Sequence, residues 1–364
     1  PWFIEVAFWD IIGKAAGQPV YRLLGGSRDR VKAYASTGEL RDPETRAQDA
    51  LRLVEEGFTG IKLRIRNEDP RVDLAVVEAV RVAVGDDVEI MVDANQAWLI
   101  HGFAAYPRWD LKRAMYMAKE LEELGVVWLE EPLRMNDYDG LSILRRSTSV
   151  AISGGELNDD LDDFREFLTR GCYDILQPDV TFAGGILTCR KIAGMAEAAN
   201  VAYNPHTWTN GLGLAANLQL MGAIPNCTHC EFPYDPPGWV PEGRDAMLAQ
   251  PIAIDGEGFF LVEKDGETFL TRAGNFRTTP RGELVTQQGY PVLSDSRSPI
   301  VLNPDAGPWQ VTPSGAIRQR GAVQNLALVR PASLDELVKA GENLFRPLAD
   351  PEPLPTAKRR VVSG

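Results

Sequence analysis

Up to about residue 258, short apolar runs alternate with longer stretches whose apolar residues recur at helical spacing. The short runs begin at Val31, Ile61, Glu89, Val126, Val150, Ile175, Val201 and Thr228, at intervals of 30, 28, 37, 24, 25, 26 and 27 residues. Most gaps hold a helix pattern, such as Asp73-Leu-Ala-Val-Val-Glu-Ala-Val-Arg-Val-Ala-Val84 or Met117-Ala-Lys-Glu-Leu-Glu-Glu-Leu124. Eight strands alternating with helices at this spacing predict an α/β chain whose strands form a parallel (β/α) barrel rather than a doubly wound sheet. The 37-residue interval predicts an extended loop after Gln96, holding Trp98, His101, Tyr106 and Trp109 at the mouth of the barrel. From residue 259 onward the pattern changes to strand-like pieces broken by Gly, Pro and Asn, which predicts a mainly-β second part over 259–364.

Composition narrows the class. With 44% hydrophobic and 24% charged residues in 364, the chain has the balance of a soluble globular protein. No apolar run approaches the roughly 20 residues of a spanning helix, so no membrane insertion is expected. A net charge of −13 argues against a nucleic-acid partner, whose phosphates want a basic face. The charge is also uneven: residues 1–258 carry 25 Lys+Arg against 40 Asp+Glu, and residues 259–364 carry 13 against 11. All 3 His, 4 Cys and 7 Met precede residue 259. Cys227 and Cys230 form a C-x-x-C, but the alternation through Thr228-His229-Cys230-Glu231-Phe232 reads as a strand rather than a metal or redox pair. The chain starts Pro1-Trp2-Phe3 and stops at Val361-Val-Ser-Gly364, which reads as a fragment at both ends.

Barrel enzymes build their sites at the C-terminal ends of the strands. Three successive strands end in an acid: Asp93 in Ile90-Met-Val-Asp-Ala-Asn-Gln, Glu130 in Val126-Val-Trp-Leu-Glu-Glu-Pro, and Glu156 in Ala151-Ile-Ser-Gly-Gly-Glu. Converging carboxylates repel unless a cation holds them, and hard oxygen ligands suit Mg²⁺. Glu131 is expected to point the other way, since strand neighbours alternate. Asp179 ends Ile175-Leu-Gln-Pro-Asp and His206 ends Ala202-Tyr-Asn-Pro-His. An Asp beside a His orients the imidazole and raises its basicity, giving a general acid/base. Glu231 closes the ring from the eighth strand. Lys62 and Arg64 lie two apart on the second strand and both face inward, where the metal carboxylates or a substrate carboxylate would neutralise them.

With these residues in place, the first 258 residues resemble the barrel domain of the enolase superfamily, in its mandelate racemase and muconate lactonizing enzyme subgroup. The resemblance rests on Asp93-Ala-Asn-Gln, Trp128-Leu-Glu-Glu-Pro, Gly155-Glu, Gln177-Pro-Asp and His206, in that order and spacing. It implies Mg²⁺ held by Asp93, Glu130 and Glu156, proton abstraction α to a substrate carboxylate, His206 as acid/base oriented by Asp179, and Glu231 donating to the developing enolate. It further implies a cytoplasmic enzyme, a small-molecule carboxylate substrate and a homo-oligomeric parent.

Two departures shape the expectation. The family carries Lys-x-Lys on its second strand, with the second Lys as the opposite-face base; here Arg64 occupies that place, and a guanidinium that stays protonated is a poor base. A two-base racemase is therefore disfavoured, and the one-sided chemistry of the acid-sugar dehydratases is expected, with Lys62 as an electrostatic partner. Epimerisation or cycloisomerisation is the alternative within the family. The family also places a capping domain before the barrel, and Trp2-Phe-Ile-Glu-Val-Ala-Phe-Trp-Asp reads as the helix just ahead of the first barrel strand, so most of that cap is expected to be missing and turnover to be low.

The remainder resembles the flagellar hook and basal-body rod family, on Ala253-Ile-Asp-Gly-Glu-Gly-Phe-Phe-Leu-Val, an Arg272-Ala-Gly-Asn-Phe hairpin and a strand within Gly282-Glu-Leu-Val-Thr-Gln-Gln-Gly-Tyr-Pro-Val292. That resemblance implies flagellar axial partners for the tail's parent and a structural role as the rival reading from another class. Enolase-type barrels end in a phrase like Pro251-Ile-Ala-Ile-Asp-Gly-Glu-Gly258, which the rod family shares, so an accidental chimera joined at that phrase is the expectation.

Overall fold

The structure, a computed structural model, describes residues 2–98, 108–245, 252–254, 258–307 and 309–363. The chain divides into two compact units, Pro1–Met247 and Leu248–Gly364. No helix among the described residues is long and apolar enough to cross a membrane.

The first unit opens with α1 (Trp2–Ala16) and the short α2 (Val20–Leu23). The parallel strands follow as β1 (Lys32–Ser36), β2 (Gly60–Arg64), β3 (Glu89–Asp93), β4 (Val126–Glu130), β5 (Ala151–Gly154), β6 (Ile175–Leu176), β7 (Ala202–Tyr203) and β8 (His229–Pro233). Each begins within one residue of the expected start. Between them run α3 (Pro43–Glu55), α4 (Pro70–Val84), α5 (Leu111–Glu123), α6 (Tyr138–Ser147), α7 (Leu161–Arg170), α8 (Ile186–Ala198) and α9 (Gly211–Ala223), and α10 (Pro241–Arg244) follows β8. The hydrogen-bonded order is β7-β6-β5-β4-β3-β2-β1-β8, so the sheet curls round as a parallel barrel should. Between β7 and β8 the Tyr203 N–H donates to the Asn226 carbonyl at 3.0 Å, and the Asn204 side chain accepts from the Thr228 and His229 N–H groups. His101 and Tyr106 of the expected mouth loop lie outside the described residues.

Alternation along the strands separates two environments. Outward positions such as Ile61, Leu63, Ile90, Val92, Leu129, Ile152, Leu176 and Tyr203 join the main core against the helices. Inward positions split by height. Tyr34, Met91, Trp128 and Ile175 form a separate apolar cluster inside the barrel. One inward step further along β2, β3 and β4 come Arg64, Asp93 and Glu130, which are register partners across the three strands. An apolar plug thus lies under a charged mouth.

Helix starts at the mouth are fixed by short acids and amides. Asp42, Asp69, Asp110, Asp137, Asp160 and Asn210 accept from backbone N–H groups of α3, α4, α5, α6, α7 and α9. The start of α8 is different. Gly185 has φ +100 and no side chain, and Glu5 from α1 reaches over to accept from the Leu187 N–H at 2.9 Å. Any Cβ on Gly185 would sit 1.7 Å from the Glu5 carboxylate, which is why glycine stands there. Elsewhere α1 leaves Phe3, Ile4, Phe8, Ile11 and Ile12 exposed.

The second unit is antiparallel. The hairpin Phe259–Lys264 and Glu267–Thr271 sits at the middle of a six-stranded sheet. Asp265 and Gly266 turn it with φ +54 and +77, the paired positive angles that match the twist of its strands. Phe260, Val262, Phe276, Leu284, Val292 and Ile317 are among the residues that form its core. Two local expectations need correcting here. Arg272-Ala-Gly-Asn-Phe276 is an irregular segment leading into a short pair, Arg277–Thr278 with Leu284–Val285, and is not itself the hairpin. The stretch Leu284 to Val292 is broken by a turn in which the Gly289 N–H donates to the Thr286 carbonyl, so it is not one strand.

Candidate active site

Every residue expected at the strand ends lies in the barrel mouth, and all but the partly exposed Arg64 are buried. Lys62 is fully enclosed: its Nζ donates to Glu130 Oε1 and Oε2 at 2.7 and 2.8 Å, and lies 2.6 Å from Glu231 Oε1 and 3.7 Å from Asp93 Oδ2. Arg64 Nη1 donates to Asp93 Oδ2 and, at 3.1 Å, to Asn95 Oδ1, while its Nε–H donates to the Thr37 carbonyl at 3.0 Å. The carboxylates of the mouth therefore neutralise both cations, as a buried charge requires.

The Asp179 and His206 pairing is present. His206 Nδ1 lies 2.9 Å from Asp179 Oδ2, and Asp179 Oδ1 accepts from Thr181 N–H and O–H and from Asn217 Nδ2. A carboxylate so held is an orienting group. The other ring nitrogen, Nε2, lies 3.6 Å from Glu156 Oε2, and Glu156 Oε1 accepts from the Trp98 indole at 2.9 Å. Burial works against charge on His206, but Glu156, Asp179 and Glu231 outweigh it and lift the imidazole to about 10.

Glu231 is an acceptor at both oxygens. Oε1 accepts from Ser36 Oγ at 2.7 Å and Oε2 from the Thr207 N–H at 2.7 Å. Burial would raise it, yet Lys62, His206 and Arg64 pull it down to about 2. As placed, it is not poised as the hydrogen-bond donor that the resemblance implies.

The remaining acids show the opposite strain. Burial, and then the repulsion of Asp93, Glu231 and Glu156, pushes Glu130 up to about 7 in spite of Lys62. Burial raises Glu156 in the same way. Glu131 corrects an expectation. The strand ends at Glu130, and Glu131 takes φ +49, so the pleat no longer sets its direction. Its buried carboxyl feels Glu156, Asp93 and Glu130, is raised well above the ordinary range, and leaves Oε2 without a partner among the described residues.

Six carboxyl groups (Asp93, Glu130, Glu131, Glu156, Asp179 and Glu231) thus crowd the mouth beside Lys62, Arg64 and His206. A crowded all-oxygen set fits a hard divalent cation such as Mg²⁺. Among the described residues no three His, Cys, Asp or Glu stand around a common point as ligands do; Asp93 turns to Arg64 and Glu130 to Lys62. The Cys227 and Cys230 thiols are free and buried.

Several neighbours were not singled out as site residues from the sequence. Ser36, Thr207 and Trp208 form a chain of contacts through Glu231, and Trp208 Nε1 donates to Ser36 Oγ at 2.7 Å. Asn95, with φ +47, bonds Asp93 through both its N–H and its amide, and Gln177 Nε2 donates to Glu130 at 2.8 Å. Asn95 and Gln177 sat inside recognised motifs; Ser36 and Thr207 carried no signal.

Comparison with known proteins follows the same division. Residues 45–265 match the family described as enolase C-terminal domain-like, and residues 253–319 match the flagellar hook protein FlgE/F/G D1 domain, so the two matches overlap over 253–265. An arabinonate dehydratase of Saccharolobus solfataricus is 32% identical over 276 residues, 75% of this chain and 70% of that protein. A D-galactonate dehydratase of Variovorax paradoxus is 40% identical over 224 residues, 60% of this chain and 56% of that protein. The crystal structure of a racemase from Streptomyces coelicolor with bound magnesium superposes with a TM-score of 0.56 at 30% identity, covering 63% of this chain and 64% of that one. The match spans 70% of the first of these proteins, 56% of the second and 64% of the third.

Proposed function

The chain belongs to the enolase C-terminal domain-like family, and from that premise we propose that its barrel is the catalytic part of a Mg²⁺-dependent dehydratase of hydroxylated carboxylic acids, of the sugar-acid class. Asp93, Glu130 and Glu156 would hold the metal, with Glu131 beside them. When bound, Mg²⁺ would neutralise the substrate carboxylate and favour loss of the neighbouring proton. His206 does the proton work. Its Nε2 takes the proton from the carbon α to the carboxylate, the C–H electrons form the new C=C bond, and the β-hydroxyl leaves as water with the proton that His206 returns. The resulting enol tautomerises to a 2-keto acid. Asp179 holds Nδ1 and stabilises the imidazolium formed. Once Glu156 is engaged elsewhere, His206 loses the partner that most strongly holds its proton, and becomes available as a base nearer neutrality.

The observation that carries this reading is the Asp179–His206 pair at 2.9 Å facing Glu156 across the mouth. Two measurements test it. Millimolar Mg²⁺ should raise the thermal stability of the barrel, and Glu156→Gln should reduce that gain; unchanged melting with and without Mg²⁺ removes the metal assignment. A screen of sugar acids should yield 2-keto acid from the full chain, and His206→Asn should abolish it. Exchange of the α-proton with solvent deuterium without keto acid would replace dehydration by epimerisation or cycloisomerisation.

A further inference from the structure

Arg64 sits where the family pattern has a titratable base, and its surroundings give it another use. A guanidinium has five N–H donors. The one on Nε and the pair on Nη1 go to Thr37, Asp93 and Asn95, while the two on Nη2 have no partner among the described residues. The side chain keeps 10% exposure, whereas Lys62 beside it has none. Arg64 therefore offers an unused charged edge at the mouth.

That edge is held in place by an aromatic shelf. The Arg64 guanidinium lies 5.2 Å from the centre of the Trp208 ring. Trp208 is pinned at its indole nitrogen by Ser36 Oγ and packed edge-on against Trp239, with ring centres 4.3 Å apart. Gly38 lies beneath it: a Cβ there would come within 2.5 Å of the ring, so glycine is what lets the indole lie flat. The Gly38 backbone is itself anchored, since its N–H donates to Asp235 Oδ2 at 2.9 Å and Asp235 is paired with the buried Arg46 at 3.0 Å.

The strand order gives the direction. The acids lie at β3, β4 and β5, with Arg64 on β2 to one side and His206 after β7 on the other. A substrate carbon resting at the acids meets His206 from one side and Arg64 from the other. Resting on the dehydratase reading above, we infer that Arg64 is a substrate-positioning residue whose Nη2 donates to the hydroxyl on the carbon that loses its proton, and that Trp208 holds it there. The enzyme would thereby read the configuration of that carbon: only the epimer with its hydrogen toward His206 places its hydroxyl on Arg64.

The test reads binding and needs no turnover. Titration calorimetry of the full chain with Mg²⁺ compares a 2-hydroxy sugar acid, D-galactonate, with its 2-deoxy counterpart, for the unmodified protein, Arg64→Lys and Arg64→Met. Loss of a charged donor to a hydroxyl should weaken D-galactonate by roughly tenfold to a hundredfold in Arg64→Met and leave the 2-deoxy acid within about threefold. Arg64→Lys should recover part of the loss, and Trp208→Phe should weaken only the hydroxylated acid. Equal losses for both acids, or none for either, overturn the inference. Melting of each variant without ligand separates misfolding from lost recognition, and Arg64→Lys stands in if Arg64→Met does not fold. Failure of the dehydratase reading would show instead as intact binding discrimination with no keto acid formed.

Discussion

The two units bury polar groups for different ends. Among the described residues of the tail the buried polar side chains are Thr271, Thr286, Ser294 and Gln319, all neutral. Thr271 Oγ1 donates to the Asn343 carbonyl, Thr286 Oγ1 accepts from the Tyr290 N–H, and Gln319 Nε2 donates to the Asn303 and Gly307 carbonyls. They satisfy turns and loops. In the barrel mouth ionisable groups are buried beside the neutral ones, and Glu130, Glu131 and Glu156 are raised by burial and by neighbouring carboxylates, Asp93 among them. Packing alone gives no reason for such an arrangement, because a buried charge costs more than the apolar residue that could replace it. The difference teaches where to look for chemistry: in the unit that carries an electrostatic cost, and not in the one that avoids it.

The sharpest way to break this comparison is to remove the cation at its centre. Lys62→Met leaves Glu130 and Glu231 without their shared partner in a fully buried place. The barrel should lose about 3–5 kcal/mol, the range for breaking a buried pair from one side. Denaturant unfolding followed by tryptophan fluorescence reports chiefly on the barrel, since of the 8 Trp only Trp309 lies in the tail. A loss under about 1 kcal/mol would show that the acids are neutral in the fold and that the contrast is overstated. The double variant Lys62→Met/Glu231→Gln should recover part of the loss.

Next in size is the response to pH. Glu130, Glu131 and Glu156 are raised in the folded state, so that state binds more protons than the unfolded chain above about pH 4.5. His206, lifted to about 10, does the same from about 6.5 upward. Both signs agree: without metal, barrel stability falls as pH rises, from about 4.5 upward through the acids, to about 7 for Glu130, and from about 6.5 to 10 through His206. Glu231 acts oppositely; held near 2, it adds stability above about 4.5 that is lost as pH falls through 2. The barrel should thus be most stable in mild acid, and Mg²⁺ should flatten the decline toward neutrality. Among the described residues of the tail the resolved shifts belong to the partly exposed Lys264 and the exposed Glu342, which should leave its stability nearly flat over the same range. Melting curves from pH 4 to 10, with and without Mg²⁺, decide this; a barrel that gains stability toward pH 7 without metal contradicts it.

What the sequence made legible follows from range. Strand starts depend on local apolar runs and came within one residue; the strand-end acids follow from the same runs, because a parallel barrel brings all C-terminal ends to one face. What escaped depends on backbone angles or on contacts between distant segments. Glu131 was misdirected because alternation holds only while the strand lasts, and its φ of +49 ends it. The Trp208 shelf joins the loops after β1 and β7, with Ser36 and Trp208 standing 172 residues apart, and no local pattern encodes that meeting. In the tail, Arg272-Ala-Gly-Asn-Phe276 carried family identity but not strand geometry, since its Phe276 serves the core from an irregular segment, with its ring 5.1 Å from that of Phe260. The union of two family matches in one chain was legible too. Whether it arose by accident is a question for the genome: long reads across the codons for 245–265 that break at the overlap would favour an artefact, and an uninterrupted native transcript would refute it.

The smallest expected effect probes the tail alone. Gly266 stands at the second position of a two-residue hairpin turn with φ +77, and nothing lies within 4 Å of where its Cβ would be. Gly266→Ala therefore meets no clash, and its cost is the strain of a left-handed angle on a residue with a side chain, about 1 kcal/mol. The hairpin it closes supplies Phe260, Val262 and Phe269 to the tail core, so the cost should appear as a loss of a few degrees in the tail's melting. It should leave untouched both the Mg²⁺-dependent gain of the barrel and the binding of sugar acids. Differential scanning calorimetry with and without Mg²⁺ separates the two contributions. If Gly266→Ala lowers the metal-dependent transition by as much as the other, the units unfold as one, and the charges in the mouth and the neutral turns of the tail belong to a single cooperative fold.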